Sequence, residues 1–416
     1  MKKVLIVTYF WPPSGKASVH WPLAIVKHLP KFDWAPIVAT VDEDNFSEKD
    51  LSLLKEIPKN LIELKSKAND PFNFYKKFIG KNKDDALSAS EAISLENKSL
   101  RHKLSIWIRM NLFVPDARVG WYFSATKMIS KYLKKNKIDA VVTIGPPHST
   151  HLIGNFVTNK FNIPHYPVLI DPWVDIVYYK NFKRSKPTLK IDNYLEEKIL
   201  DESTKSIFVT KTTETEYHKK YKFLKNKTEV LPWGYNEEDF KKIKLKKKKY
   251  SIILHAGNIF DYQNPKYFWK AIALERKKGN DLRLRFIGTV APEIKKSIEN
   301  EGLTNCTEYI GFLPFNQIHS EMQNADYLLV CASEPRHVPG KLYEYLRAGK
   351  TIIAFGDNNI EVGNMIKSAN CGKIFSYNYS KKDIFKIVKK SKPNLQEIKK
   401  YSRLNVTKKL SKILNS

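Results

Sequence analysis

Short apolar runs alternate with amphipathic segments along most of this 416-residue chain. Runs of this kind, bounded by Gly or Pro and followed by helical periodicity, predict buried strands of parallel sheets joined by helices. They form two series: residues 4–8, 35–41, 139–144, 166–170, 206–210 and 229–231, and then residues 251–257, 282–288, 308–311, 327–331 and 351–355. The chain is therefore predicted to be an α/β protein with two facing, doubly wound, Rossmann-like domains.

Domain boundaries follow from the gap between the two series. A chain of 416 residues exceeds one ordinary core, so two domains are expected. We predict an N-terminal domain over residues 1–235 and a C-terminal domain over residues 251–395, with the lysine run 244–249 as linker. The pattern over residues 396–416 is helical.

Residues 42–105 are polar and lysine-rich, and they are predicted to be an insertion in the N-terminal domain. Their scattered aromatic residues fit helices that lie against a membrane or a bulky partner, while a mobile, solvated excursion is the alternative. Those aromatic residues are Phe72, Phe74, Tyr75 and Phe78.

The net charge is +29, from 72 Lys and Arg against 43 Asp and Glu. A lysine-rich coding habit is one explanation, and an anionic membrane surface or anionic ligand is another. Nucleic acid is not expected, because the sequence has neither zinc-finger spacing nor an RNP-type aromatic strand nor a basic heptad helix. Without a 20-residue apolar run or a signal peptide, we expect a cytoplasmic protein, peripheral on the inner face of the cell membrane.

Metal ligands are not evident. Cys306, Cys331 and Cys371 lie far apart and are predicted to be reduced and structural. An acidic triplet at residues 42–44 follows a strand and could chelate a magnesium or manganese nucleotide, but it begins a polar segment where acids are expected anyway. We expect no metal.

One helix is predicted between the last two strands of the second series. Pro339 and Gly340 open it, and Gly349 stands where a left-handed cap is expected. Lys341 and Glu344 are three residues apart and share a face. Backbone N–H groups of the first turn and the ammonium could hold a diphosphate, and the carboxylate could accept ribose hydroxyl protons. The alternative is a surface helix with a solvated ion pair.

Three loop residues are further candidates. Gly15 lies in the turn after the first strand, where a missing side chain lets a ligand approach the backbone; a plain tight turn is the alternative. It does not belong to a phosphate loop, because Phe10 occupies the position where that motif needs glycine. His148 and Asp171 follow two successive strands at the edge where such sheets bind ligands, so either could be an acid–base or hydroxyl-orienting group.

Six motifs together resemble glycosyltransferases of family 4, which have two facing Rossmann-like domains in the arrangement called GT-B. The motifs are residues 9–15, 114–121, 145–149, 171–173, 231–240 and 340–346. The resemblance implies a retaining transfer from a nucleotide diphosphate sugar bound mostly by the C-terminal domain, with the acceptor on the N-terminal domain. It also implies that residues 396–416 form a helix crossing back to the N-terminal domain, and that no metal or other cofactor is needed.

By position, Glu344 resembles the carboxylate that binds the ribose. Lys341 and the Gly340 end of its helix resemble the ligands of the diphosphate, and Gly15 resembles the glycine that faces the donor phosphates. Lys341 is thus expected to bind the donor and also to stabilise the departing diphosphate during catalysis.

The chain departs from the family at two places. Arg336 stands where a second glutamate is frequent, with Glu334 two residues before it, so Arg336 is expected to share the phosphate charge and Glu334 to contact the donor sugar. Gly257 and Asn258 stand near positions where the family has Arg and Lys, and both are candidate donor-binding residues.

The function predicted from the sequence is transfer of a hexose or related sugar to a glycan or lipid-linked glycan acceptor, in the synthesis of a bacterial surface polysaccharide. Two alternatives stay open at this point. One is a nucleotide-sugar epimerase of the same build, and the other is a non-catalytic basic protein that binds membrane or nucleic acid.

Overall fold

The chain folds into two compact units in a computed structural model that describes residues 1–68, 100–176, 179, 182–241, 243, 248–381, 383–388 and 392–416. One unit comprises Met1–Leu231 with Thr407–Ser416, and the other comprises Pro232–Val406. The aromatic residues at positions 72–78 and most of the predicted linker at 244–249 lie outside the described residues.

The first unit contains a seven-stranded sheet in the order β3-β2-β1-β4-β5-β6-β7. Its strands are β1 (Lys2–Thr8), β2 (Trp34–Val41), β3 (Ile62–Ser66), β4 (Ala140–Gly145), β5 (His165–Leu169), β6 (Ser206–Phe208) and β7 (Thr228–Val230). Its helices are α1 (His20–His28), α2 (Leu100–Leu112), α3 (Tyr122–Leu133), α4 (Ser149–Phe161), α5 (Lys186–Glu202) and α6 (Lys211–Lys220).

The second unit contains a six-stranded sheet in the order β10-β9-β8-β11-β12-β13. Its strands are β8 (Ser251–Ala256), β9 (Leu282–Ile287), β10 (Thr307–Gly311), β11 (Tyr327–Cys331), β12 (Thr351–Phe355) and β13 (Gly372–Phe375). Its helices are α7 (Lys266–Lys277), α8 (Pro292–Asn300), α9 (Phe315–Asn324), α10 (Gly340–Ala348), α11 (Ile360–Ser368), α12 (Ile384–Ile387) and α13 (Leu395–Lys399). A last helix, α14 (Arg403–Asn415), begins in the second unit and ends in the first.

Every strand pair in both sheets is parallel, which confirms the predicted α/β class. The central strands are apolar on both faces because helices cover both: Val4, Leu5, Ile6 and Val7 of β1 are all fully buried. The described helices include none that is both long and apolar enough to cross a membrane.

Each sheet reverses its strand order at one place, between β1 and β4 in the first unit and between β8 and β11 in the second. Ligands bind such sheets at the carboxyl ends of the strands that flank the reversal, because the connections there diverge to opposite faces and leave a crevice. The loops after β1, β4, β8 and β11 therefore frame the candidate sites.

The polar insertion predicted over residues 42–105 is wrong in its first part. The strand β3 lies within it and pairs in parallel with β2, so the sheet extends through this region. The strand is partly exposed along its length, as an edge strand is, and its sequence is correspondingly polar. The apolar signature of an internal strand is missing, which explains why the sequence pattern did not reveal it.

The single helix predicted over residues 396–416 is also wrong, because the structure breaks it between α13 and α14. At the break, the backbone N–H of Tyr235 donates to the Tyr401 carbonyl (3.0 Å), and the N–H of Arg403 donates to the Tyr235 carbonyl (2.8 Å). These bonds to a distant residue replace helical bonds, so the chain leaves one helix and starts the next.

The start of β13 requires glycine. Gly372 has φ 151°, and a Cβ there would lie 1.9 Å from the Ile352 carbonyl oxygen. Gly279 also has positive φ (92°), but a Cβ there would meet nothing within 4 Å.

We expect Gly279→Ala to lower the free energy of unfolding by about 1 kcal/mol through backbone strain, and Gly372→Ala to lower it by at least about 2 kcal/mol more through steric overlap. Urea unfolding followed by tryptophan fluorescence compares the two, and equal losses would contradict the assigned contact.

Candidate functional site

Helix α10 begins and ends where the sequence predicts. Pro339 occupies its N-cap, and Gly349 closes it in the left-handed region at φ 67°. The N-terminus of α10 follows β11 and lies at the edge where the sheet reverses its strand order. Its first-turn N–H groups and its dipole make it a suitable place for an anion.

One face of α10 is committed to the core. Leu342, Tyr343, Tyr345 and Leu346 are buried, and the Tyr345 hydroxyl accepts a hydrogen bond from the backbone N–H of Ala256 (2.7 Å). Each large side chain contributes about 1.5–3 kcal/mol when removed from water, so this face fixes the rotation of the helix. The rotation in turn decides where Lys341 and Glu344 point.

The Lys341 ammonium lies against the end of β8. Its Nζ is 3.1 Å from Nε2 of His255, and a Cβ on Gly257 would lie only 2.8 Å from it. Burial lowers the pKa of Lys341 to about 8, while Cys331 and Glu344 oppose the shift. A half-buried cation with a lowered pKa lacks a full anionic partner and is suited to receive one.

The Glu344 carboxyl occupies a separate environment on the same helix. Burial raises its pKa to about 7; Arg403 and Lys341 oppose this shift and Asp239 adds to it. His319 Nε2 lies 4.0 Å from Glu344 Oε1. Burial makes the ionised form of this carboxyl unfavourable, as it does the charged form of Lys341, and hydrogen bonds from a polar ligand would offset that cost.

Two motifs that are distant in the sequence meet at this carboxyl. Asp239 and Phe240 close the motif of residues 231–240, and the Phe240 ring packs edge-on against His319 at 4.8 Å. Trp233 of the same motif lies close to Gly340, where a Cβ would be 3.6 Å from the indole nitrogen. The 231–240 segment therefore forms one wall around α10.

The alternative of a solvated surface ion pair is wrong, because only 16% of the Glu344 side chain is exposed and Lys341 bonds to His255.

Arg336 and Glu334 contact each other in the loop after β11. The Arg336 Nε donates to Glu334 Oε1 at 3.0 Å, with 14% and 22% of the two side chains exposed. Asn359, which the sequence analysis missed, donates to the Glu334 carbonyl (2.9 Å) and caps α11 by accepting from the Val362 N–H (3.0 Å). An Asn just before an apolar helical pattern is a signal that could have identified it.

The loop after β8 is held by its own contacts. Asn258 is exposed, and its side-chain oxygen accepts from the Thr289 N–H at 3.0 Å. Gly257 and Gly288 both have positive φ, and a Cβ on Gly288 would lie 2.8 Å from the Gly257 carbonyl carbon. Glycine at both positions lets two backbone segments lie in contact beside Lys341.

In the first unit, His148 stands at the N-cap of α4, and its ring stacks on Trp173 with centroids 5.1 Å apart and planes 6° apart. Burial lowers the pKa of His148 to about 3, with the Pro172 backbone opposing the shift. The imidazole is therefore neutral at pH 7. A neutral ring can orient a hydroxyl, but with this pKa it is a weak general base.

Helix α5 fixes the loop that carries Asp171. The Trp173 indole N–H donates to Asp192 (2.8 Å), and its backbone N–H donates to the Tyr217 hydroxyl (2.8 Å), which donates onward to Glu196 (2.6 Å). Asp192 and Glu196 are four residues apart on one helix and fully buried. The sequence analysis missed both, because a pair of acids on a helix normally indicates a solvated face.

The motif of residues 114–121 contacts the loops at the carboxyl ends of β1 and β4. The Asp116 carboxylate accepts from the Ser149 backbone N–H (2.8 Å) and hydroxyl (3.0 Å) at the start of α4, and the Arg118 guanidinium lies 5.2 Å from the Tyr9 ring centroid. Gly15 is exposed in the loop after β1, and its N–H donates to the Glu48 carbonyl (2.9 Å).

The predicted residues thus fall into two groups. The second unit places Gly257, Gly340, Lys341 and Glu344 around α10, with Asn258, Glu334 and Arg336 in the loops after β8 and β11. The first unit places Gly15, His148 and Asp171 in loops at its own strand ends. Among the described residues, no cluster of three or more His, Cys, Asp or Glu could hold a metal ion.

Comparison with known families identifies the C-terminal part of the chain. Residues 236–403, which contain Lys341 and Glu344, match the model of the family described as Glycosyl transferases group 1. No curated protein matches the chain.

Solved structures share the fold over the whole chain. A glycosyltransferase from Rickettsia africae superposes with TM-score 0.61 at 15% identity, over 100% of this chain and 98% of that one. Anabaena HepE, in complex with UDP and glucose, gives TM-score 0.57 at 12% identity, over 100% of both chains. A variant of S. aureus TarM, in complex with Fondaparinux, alpha-GlcNAc-glycerol and UDP, gives TM-score 0.56 at 13% identity, over 100% of both chains. The fold is the GT-B fold, which confirms the predicted fold class.

The buried Glu344 carboxyl makes stability depend on pH. The pKa of Glu344 rises from an ordinary 4.5 to about 7 on folding. As the pH rises from 4.5 to 7, the carboxyl therefore loses its proton in the unfolded chain but keeps it in the folded protein, and the free energy of unfolding falls. We expect Glu344→Gln to raise the free energy of unfolding at pH 8 by about 2–3 kcal/mol, with the gain vanishing toward pH 4.5. Urea unfolding across this pH range measures it, with Glu299→Gln at an exposed helical position as control. A gain that is independent of pH would contradict the buried-carboxyl account.

Proposed function

We propose that this protein is a glycosyltransferase that takes a sugar from a nucleotide diphosphate donor and transfers it, with retention of configuration, to a glycan or lipid-linked glycan. One observation carries the proposal. Helix α10 holds an ammonium and a carboxyl, both largely withdrawn from water, at the ligand-binding edge of the sheet in the unit that matches the glycosyl transferases group 1 family.

The donor's diphosphate would lie at the N-terminus of α10. There the Gly340 end offers backbone N–H groups, Lys341 donates from its ammonium, and Gly257 leaves room for close approach. The pKa of Lys341, lowered by burial, would rise again beside a phosphate, so donor binding and lysine protonation support each other.

The nucleoside end of the donor would bind Glu344. An ionised carboxylate accepts both ribose hydroxyl protons, and those hydrogen bonds favour the charged form and lower its pKa. The cost of burying this carboxyl in the free protein is thereby recovered when the donor binds.

Stabilisation of the leaving group is the main chemical task. When the bond between the sugar and the diphosphate breaks, negative charge grows on the phosphate oxygen, and preorganised donors at that oxygen lower the barrier. Lys341 and the helix N-terminus would supply them, with Arg336 adding charge and Glu334 contacting the donor sugar. The proposal includes no metal, so we expect turnover to be insensitive to EDTA.

The acceptor would bind the first unit, where His148 and Asp171 lie in loops at the strand ends. Because His148 is neutral at pH 7, we assign it to orienting the acceptor hydroxyl rather than to removing its proton. The alpha-GlcNAc-glycerol bound to the TarM variant and the UDP bound to HepE support an acceptor of glycan type and a nucleotide donor.

The proposed setting is the synthesis of a surface polysaccharide at the inner face of a bacterial membrane. The net charge of +29 supports it, because each basic residue near anionic lipid gains about 1 kcal/mol. Vesicle co-sedimentation with and without anionic lipid tests the membrane part.

Substitution of the two charged residues tests the donor site. The donor base is first identified by screening nucleoside diphosphates for a thermal shift, because a selective ligand raises apparent stability. Lys341→Ala and Glu344→Ala are then each expected to reduce donor turnover by more than about tenfold, since a lost charged partner costs about 2 kcal/mol or more. Turnover is measured as release of the nucleoside diphosphate in the presence of a glycan acceptor.

The matched control is Lys367→Ala, which removes an exposed lysine from a helix of the same unit and should leave turnover unchanged. Wild-type rates for both site variants would refute the assignment. Conversion of the donor without any acceptor would instead indicate an epimerase.

A further inference from the structure

We infer that His255 is a positioning residue for the donor site: its neutral imidazole accepts a hydrogen bond from Lys341 and aims the ammonium at the diphosphate without cancelling its charge. The inference rests on the proposed function, which it deepens by adding a residue that no sequence motif indicated.

The hydrogen bonds of the ring define its tautomer. His255 lies in β8 and is 2% exposed, and its Nδ1 is 3.0 Å from the Leu329 carbonyl oxygen of the neighbouring strand β11. A carbonyl oxygen only accepts, so Nδ1 carries the proton. The lone pair of Nε2 then faces Lys341 Nζ at 3.1 Å, where an ammonium can only donate.

The groups around Lys341 compensate its charge only in part. Burial, and then the Lys341 charge, lower the pKa of His255 well below its usual range, although the Asn258 and Leu329 backbones oppose this. From β11, the Cys331 thiol has its pKa raised to about 12 by burial and stays neutral. On α10 itself, Glu344 lies three residues after the lysine and interacts with it electrostatically, and its own pKa is raised to about 7.

A neutral partner suits a lysine that must bind phosphate. A carboxylate in place of His255 would hold the ammonium equally well, but it would neutralise the charge intended for the donor. The imidazole occupies one of the three ammonium N–H groups and leaves two for phosphate oxygens. Holding a long, flexible side chain in one direction before the donor arrives lowers the entropy lost on binding.

Three substitutions separate positioning from packing. His255→Leu removes the acceptor, His255→Gln offers an amide oxygen in its place, and His255→Glu replaces it with a charged acceptor. The primary readout is the pKa of Lys341 in the free protein, from the pH dependence of its ¹³Cε NMR shift, assigned by comparison with Lys341→Arg.

We expect the pKa of Lys341 to fall in His255→Leu, to stay near the wild-type value in His255→Gln and to rise in His255→Glu. A purely structural role predicts no such ordering. An unchanged Lys341 pKa in all three variants would overturn the inference, and thermal unfolding identifies any variant that fails to fold.

The second readout is affinity for UDP or GDP, whichever the wild type binds, compared with affinity for the corresponding nucleoside. His255→Leu and His255→Glu should weaken diphosphate binding by about tenfold or more, and His255→Gln by less than about threefold, with nucleoside binding changed less than about twofold in each. Equal losses for nucleoside and diphosphate would also overturn the inference, because positioning acts only on phosphate.

The two readouts separate failure of this inference from failure of the proposed function. If the wild type binds no nucleoside diphosphate in the screen, the proposed donor site is wrong, while the donor-free titration still decides whether His255 controls Lys341. If diphosphate binds but the Lys341 pKa ignores His255, the proposed function stands and the inference fails.

Discussion

The rest of the site depends on the packing of one short helix whose apolar face fixes two charges in place. Leu342, Tyr345 and Leu346 are buried in the core of the second unit, and the Tyr345 hydroxyl ties α10 to β8. With that face fixed, the Lys341 and Glu344 side chains are only partly exposed to solvent. Burial then acts in opposite directions on the two groups, lowering one pKa to about 8 and raising the other to about 7. The free protein therefore holds unfavourable electrostatic energy that a ligand with phosphates and hydroxyls can release.

The sheet determines where this helix meets its partners. In the second unit the strand order reverses between β8 and β11, so the end of β8 and the start of α10 come together although they are far apart in the sequence. His255 and Gly257 reach Lys341 from β8, and Asp239 and Phe240 close around Glu344 from the segment before it. The first unit also reverses its strand order, between β1 and β4, and there Asp116 caps α4 and the His148 ring stacks on Trp173.

The sequence predicts what local patterns encode, and it fails where contacts between distant residues decide. The helix ends at Pro339 and Gly349, and the candidates Lys341 and Glu344, could be read from turn residues and helical spacing. The partner of Lys341 could not, because a histidine inside an apolar strand has the pattern of a core residue. Asp116 caps a helix 33 residues away, and such a pairing has no local signal. The edge strand β3 was not predicted, because its polar and partly exposed sequence resembles a loop.

The most direct test of the account is the proton exchange that accompanies donor binding. Isothermal titration calorimetry with a nucleotide diphosphate sugar, such as UDP-glucose, repeated in buffers of different ionisation enthalpy, counts the protons taken up or released. Because ribose should favour ionised Glu344 and phosphate should favour protonated Lys341, we predict net release of protons near pH 6.5 and net uptake near pH 8.5. Tight donor binding without proton exchange at either pH would show that the two buried charges do not contact the donor.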